Sequence, residues 1–151
     1  METEKTIAVL NELIQINNDR IEGYRTASEE TNESDLKSFF SELKATSLRL
    51  NSELRTEVNR LGGTPTDETK ITGKFFRVWM DVKAALTGNN RKLILDSCEF
   101  GEDVAKKTYA DALKNDSENL TAEQQSMLRE QHSALIVDHD KVKSMLNAVT
   151  T

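Results

Sequence analysis

The amino-acid sequence predicts an all-α protein: a four-helix bundle of two antiparallel hairpins, joined by one long crossover that contains a short extra helix. Three observations lead there. Apolar residues recur at three- and four-residue spacing over four long stretches. The 151 residues include only one proline, six glycines, and one Trp, two Tyr and five Phe, a poor composition for many short strands and turns. The segment 62–89 between the second and third stretches is too long for a simple turn. A chain of this size fits a single domain, 1–151, able to bury roughly 70 % of the surface its unfolded form exposes.

The first helix is predicted over 4–30, where Ile7, Leu10, Ile14, Ile21 and Tyr24 form a stripe that Leu13 and Ile16 widen. Only Thr31 to Ser34 separate it from the second helix, 34–61, so the two should fold back as a hairpin. Leu36, Phe40, Leu43, Leu50, Leu54, Val58 and Leu61 give the second stripe, and Ser34 is the expected N-cap. Gly62, Gly63 and Pro65 end this helix. Phe75, Trp79, Val82 and Leu86 predict a short helix at 74–87 docked on the bundle, closed by Gly88. Asn89 or Asn90 then caps a third long helix, 91–114, with Ile94, Cys98, Ala105, Thr108 and Ala112 on one side. The fourth, 122–149, opens on Thr121-Ala-Glu-Gln124, a capping-box pattern. At 1.5 Å per residue, each long helix runs roughly 36–42 Å. Two hairpins joined across that length make a ferritin-like arrangement.

Charge and composition exclude several function classes. The net charge of −6 is mixed along the chain, so the basic footprint expected of a protein that binds nucleic acid or anionic membrane is missing. No apolar run approaches a membrane span, and the opening METEKTIAVLNELIQ does not read as a secretory signal. A lone cysteine, Cys98, has no intramolecular disulfide partner and suits a reducing compartment. The expectation is a cytoplasmic protein whose helical faces can support a homo-oligomer.

The informative residues are the polar ones inside the apolar stripes. Leu128, His132, Leu135, His139, Val142 and Leu146 step by four and three, which places both histidines on the seam. They are separated by roughly 10.5 Å of helical rise, too far to ligate one ion at about 2 Å each. Asn17, Ser47 and Glu102 fall near mid-bundle with His132 and should share one layer, in which Glu102 bonds His132 while His139 packs near Cys98. Glu102, His132, Glu99, His139 and Glu22 are the candidate ligands for iron, manganese or zinc. A carboxylate-bridged di-metal site, however, needs a Glu from two helices and Glu-x-x-His from the other two. Arg129 and Ile136 stand three residues before the histidines, and the second helix has no histidine at all. The pattern is broken. A faint repeat also aligns NNDRIEGYRTA (17–27) with EDVAKKTYADA (102–112), matching Tyr24 to Tyr109, Ala27 to Ala112 and Asn17 to Glu102. No phosphate-binding Gly-rich loop, Ser-His-Asp order or Cys-x-x-Cys pair occurs, so no catalytic residues are assigned.

The stretches LNELIQINNDRIEGYRTASEE (10–30), LGGTP (61–65), GKFFRVWMDVKAAL (73–86), CEFGEDVAKKTYADAL (98–113) and HDKV (139–142) resemble an uncharacterised bacterial family of four-helix-bundle proteins with a ferritin-like domain of unknown function. The resemblance covers essentially the whole chain and implies a ferritin-like fold. It brings no activity and no catalytic residues. Two functional expectations follow: a non-catalytic, stress-associated or interaction protein with a degenerate metal site, or a metal-binding, oxidase-like bundle centred on Glu102 and His132.

Overall fold

Four long helices account for almost all of the residues that the computed structural model describes, 3–69 and 90–150. These are α1 (Thr3–Glu30), α2 (Ser34–Arg60), α3 (Arg91–Asn115) and α4 (Ala122–Thr150), with a single 3-10 turn at Ser117–Asn119. The expected short helix at 74–87, with Phe75 and Trp79, lies outside the described residues.

Local chemistry sets the helix ends. Asn90 caps α3, its side-chain oxygen accepting from the Leu93 amide at 3.1 Å. At the start of α4 the capping box is complete: Thr121 Oγ1 accepts from Gln124 N at 3.1 Å, and Gln124 Oε1 accepts from Thr121 N at 2.9 Å. Gly62 has φ +84°, and the amides of Gly62 and Gly63 bond back to the Asn59 and Val58 carbonyls. This is the Schellman geometry, in which a left-handed residue satisfies the last carbonyls of a helix. The cap of α2 differs from expectation: Ser34 is already helical, and Glu33 occupies the N-cap without a side-chain bond.

Both hairpins are antiparallel. Ser28 meets Ser41, and Asn18 meets Asn51, between α1 and α2. Tyr109 meets Gln131, and Asp103 meets His139, between α3 and α4. Past Gly63, Thr64 and Thr66 bond Asn11, and the Glu68 carbonyl accepts from Asn18, so this segment follows α1 in its chain direction. Arg91 pairs with Glu33 and Asp35, which puts the start of α3 beside the start of α2.

The interior divides in two. One apolar cluster gathers Leu10, Leu13, Ile14, Leu50, Leu54, Val58, Ala105, Leu128 and Leu135. The other gathers Ala27, Leu36, Phe40, Leu43, Ile94, Leu95, Cys98 and Val142. Full burial of each aliphatic or aromatic side chain contributes roughly 1.5–3 kcal/mol, so these clusters hold the helices together. Between them, every helix contributes polar side chains.

Candidate functional site

Arg20 occupies the centre of that layer, 1 % exposed. Its Nη2 donates to Glu102 Oε1 at 2.7 Å and Asp138 Oδ2 at 3.1 Å, and its Nη1 donates to Ser47 Oγ at 2.6 Å. One guanidinium therefore ties α1 to the other three helices. The cation also lies 5.4 Å from the centre of the Tyr24 ring, whose hydroxyl donates to Glu102 Oε1 at 3.0 Å.

A chain of neutral hydrogen bonds continues from it. Ser47 Oγ donates to Asn17 Oδ1 at 2.7 Å, and Asn17 Nδ2 donates to the Tyr109 hydroxyl at 2.8 Å. Tyr109 donates in turn to Gln131 Oε1 at 2.7 Å, and the Gln131 amide reaches the Leu50 carbonyl and Glu53. The faint sequence repeat acquires a structural counterpart here. Asn17 of α1 bonds Tyr109 of α3, while Glu102 of α3 bonds Tyr24 of α1, a reciprocal exchange between the aligned positions.

Burial dominates the electrostatics. It works against the Arg20 charge, but Glu102, Tyr24 and Asp138 outweigh it, so the guanidinium stays firmly charged. Burial pushes the Glu102 carboxyl above its usual range; Arg20 pulls it down and the nearby Asp138 raises it. The two partners thus fare differently: burial prevails at Glu102 and is outweighed at Arg20, and Glu102 Oε2 has no hydrogen-bond partner among the described residues. Tyr24 and Tyr109 are both held protonated, chiefly by burial. The Cys98 thiol is also raised by burial and by Glu102, which agrees with a packed, unreactive thiol.

The sequence-predicted ligands do not converge on one site. Glu102 lies in the layer with Asn17 and Ser47 as expected, but its cationic partner is Arg20, not His132. His132 is only half-buried, and partial burial and the Lys106 charge lower its pKa. Glu22 is exposed and pairs with Arg25 on its own helix. Glu99 and His139 do come together, with Asp103, between α3 and α4. His139 engages Asp103 at 3.0 Å.

Arg20 and Asp138 were missed, although the spacing contained them. Leu128, Gln131, Leu135, Asp138 and Val142 are all buried and step by three and four. The histidine pattern shares its apolar members with this one and lies one residue off its axis. On α1, Ile21 is partly exposed while Arg20 takes the buried position between Asn17 and Tyr24.

Over residues 5–115 the sequence matches the family model described as a domain of unknown function, DUF2383. The chain belongs to that family. Comparison with curated proteins gives no match. The span matched to DUF2383 contains Asn17, Arg20, Tyr24, Ser47, Glu102 and Tyr109, whereas Gln131, Asp138 and His139 of α4 lie beyond it. Among the described residues, no helix is long and apolar enough to cross a membrane.

The layer does not fit the di-metal centre that a ferritin-like bundle would imply. Among the described residues, the carboxylates of Glu102 and Asp138 converge there on Arg20, and both already bond the same guanidinium. A dication placed about 4 Å from Arg20 would be repelled by on the order of 8 kcal/mol at an effective dielectric of 20. Ser47, Asn17, Gln131 and two protonated tyrosines, which also bond within the layer, are poor ligands for a redox-active iron pair.

Proposed function

We propose that this chain is a ferritin-like bundle without ferritin chemistry: a non-catalytic module that acts through its helical surfaces, by interaction or self-association. One observation carries the reading. The bundle centre, where proteins of that architecture place metal ligands, is closed by Arg20 bonded to Glu102 and Asp138. The protein's own side chain supplies the cation. Polar contacts link all four helices at one level and favour a single helix register, as buried polar groups do in some helical assemblies.

The ferritin-like topology is part of the proposal. The segment following Gly63 runs along α1, and α3 starts beside the start of α2. Since α2 is 27 residues long, these placements support a connection across about 40 Å between the two hairpins. Exposed Leu48, Leu93, Phe100 and Val137 offer apolar surface for contact with another protein or another copy. A stress-associated role is compatible with such a module.

Oxygen consumption after addition of Fe(II) to the anaerobic protein is the test. The expected rate is that of buffer with Fe(II) alone. Rapid uptake with two irons held per chain would overturn the reading and establish the oxidase-like alternative. Running His139→Gln in parallel separates a core site from one at the α3–α4 surface.

A further inference from the structure

We infer that Glu99, Asp103 and His139 form a mononuclear site for a first-row divalent cation, zinc being the best match, at the α3–α4 interface. The site is separate from the buried layer, and its failure would leave the reading of that layer intact. Glu99 and Asp103 lie one turn apart on α3, so both carboxylates face the same side, and His139 meets them from α4. One potential ligand atom from each lies within 4.8 Å of the others. An ion with ligands at 2.0–2.2 Å needs them roughly 3–4.4 Å apart, a small rotamer adjustment from this arrangement. His139 Nε2 and Asp103 Oδ1, at 3.0 Å, already have the separation of adjacent ligands.

The imidazole supplies the second observation. It is 9 % exposed, with Asp103 at Nε2 and Asp140 Oδ1 at 3.4 Å from Nδ1. With Nδ1–H donating to Asp140, Nε2 would present its lone pair to Asp103 and Glu99, the carboxylate–histidine–metal arrangement. Imidazole with two carboxylates suits zinc and its neighbours, and a three-residue donor set leaves a position for water. Lys106 Nζ, 3.7 Å from the same Asp103 oxygen, competes for it and must swing aside.

Isothermal titration of the full chain with zinc chloride at neutral pH tests the inference, with His139→Gln, Asp103→Asn and His132→Gln as variants. The wild type should bind one zinc. His139→Gln and Asp103→Asn should each weaken binding at least tenfold, and His132→Gln should leave it unchanged. Glu99→Gln, at a half-exposed position with little bearing on folding, should also weaken binding and guards against a misfolded variant being read as a lost site. Circular dichroism checks that each variant is helical. Absence of saturable binding below millimolar zinc would overturn the site. So would affinity unchanged in His139→Gln, or affinity lost in His132→Gln.

Discussion

Replacing Arg20 with methionine removes the cation and keeps an unbranched apolar chain in its place. Glu102 Oε1 and Asp138 Oδ2 then lose the guanidinium, and Glu102 is fully buried. Its least costly response is to take up a proton. Starting from an ordinary Glu value near 4.3, keeping the carboxyl neutral costs about 4 kcal/mol at pH 7 and about 1.6 kcal/mol at pH 5.5. The first figure falls within the 3–5 kcal/mol typical of breaking a buried ion pair. The sign follows from the direction of the shift. A carboxyl whose folded pKa stands above its unfolded value contributes stability below the unfolded pKa and loses it as pH rises. Burial already raises Glu102 in the wild type, so the wild type has a weaker form of the same trend. Urea unfolding at pH 5.5, 6.25 and 7 should show Arg20→Met less stable by up to about 4 kcal/mol at neutral pH, with the deficit shrinking by up to about 2 kcal/mol at the acid end. Adding Glu102→Leu should recover most of the loss, because an apolar replacement of a buried pair is often neutral or stabilising. A deficit independent of pH, or a double variant whose loss is the sum of its parts, would refute the ion-pair layer.

Three further outcomes follow from the same contacts. Tyr109→Phe strips the hydroxyl between Asn17 and Gln131 and should cost about 1–3 kcal/mol in urea unfolding, since Asn17 Nδ2 keeps only the Leu13 carbonyl and Gln131 Oε1 loses its donor. Thr121→Ala removes half of the capping box and should cost about 1 kcal/mol; no change in the thermal midpoint would show that the cap contributes nothing. The folded-state pKa of His132 is lowered by burial, so that histidine costs stability only as pH falls through its unfolded value near 6.5. His132→Gln should therefore leave stability at pH 8 almost unchanged and flatten its decline below pH 6.5, as read from paired pH–melting curves.

The four long helices and most of their ends were legible because they rest on local rules; the N-cap of α2, Glu33 rather than Ser34, was not. Three- and four-residue spacing, Asn90, Gly62 and the Thr121–Gln124 box act within a turn or two of themselves. Asn17, Ser47 and Glu102 were legible as polar interruptions at one level, since antiparallel pairing fixes heights along a bundle. The cation was not. Arginine is almost never fully buried unless paired, so a reading of one helix alone assigns Arg20 to the surface, although Asn17, Arg20 and Tyr24 keep the core spacing. What buries it is two carboxylates brought from α3 and α4, a long-range fact. On α4, one residue of helix rotation decided between two polar sets. Gln131 and Asp138 face the centre, while His132 and His139 lie toward the flank, with His139 beside the α3 carboxylates.

Anomalous diffraction from crystals soaked in Mn(II) or Zn(II) tests most directly whether Arg20 has taken the place of a metal centre. The expected map has continuous guanidinium density between Glu102 and Asp138 and no anomalous peak in the layer, with any bound ion at Glu99, Asp103 and His139. A peak bridging Glu102 and Asp138, with Arg20 displaced from them, would contradict it.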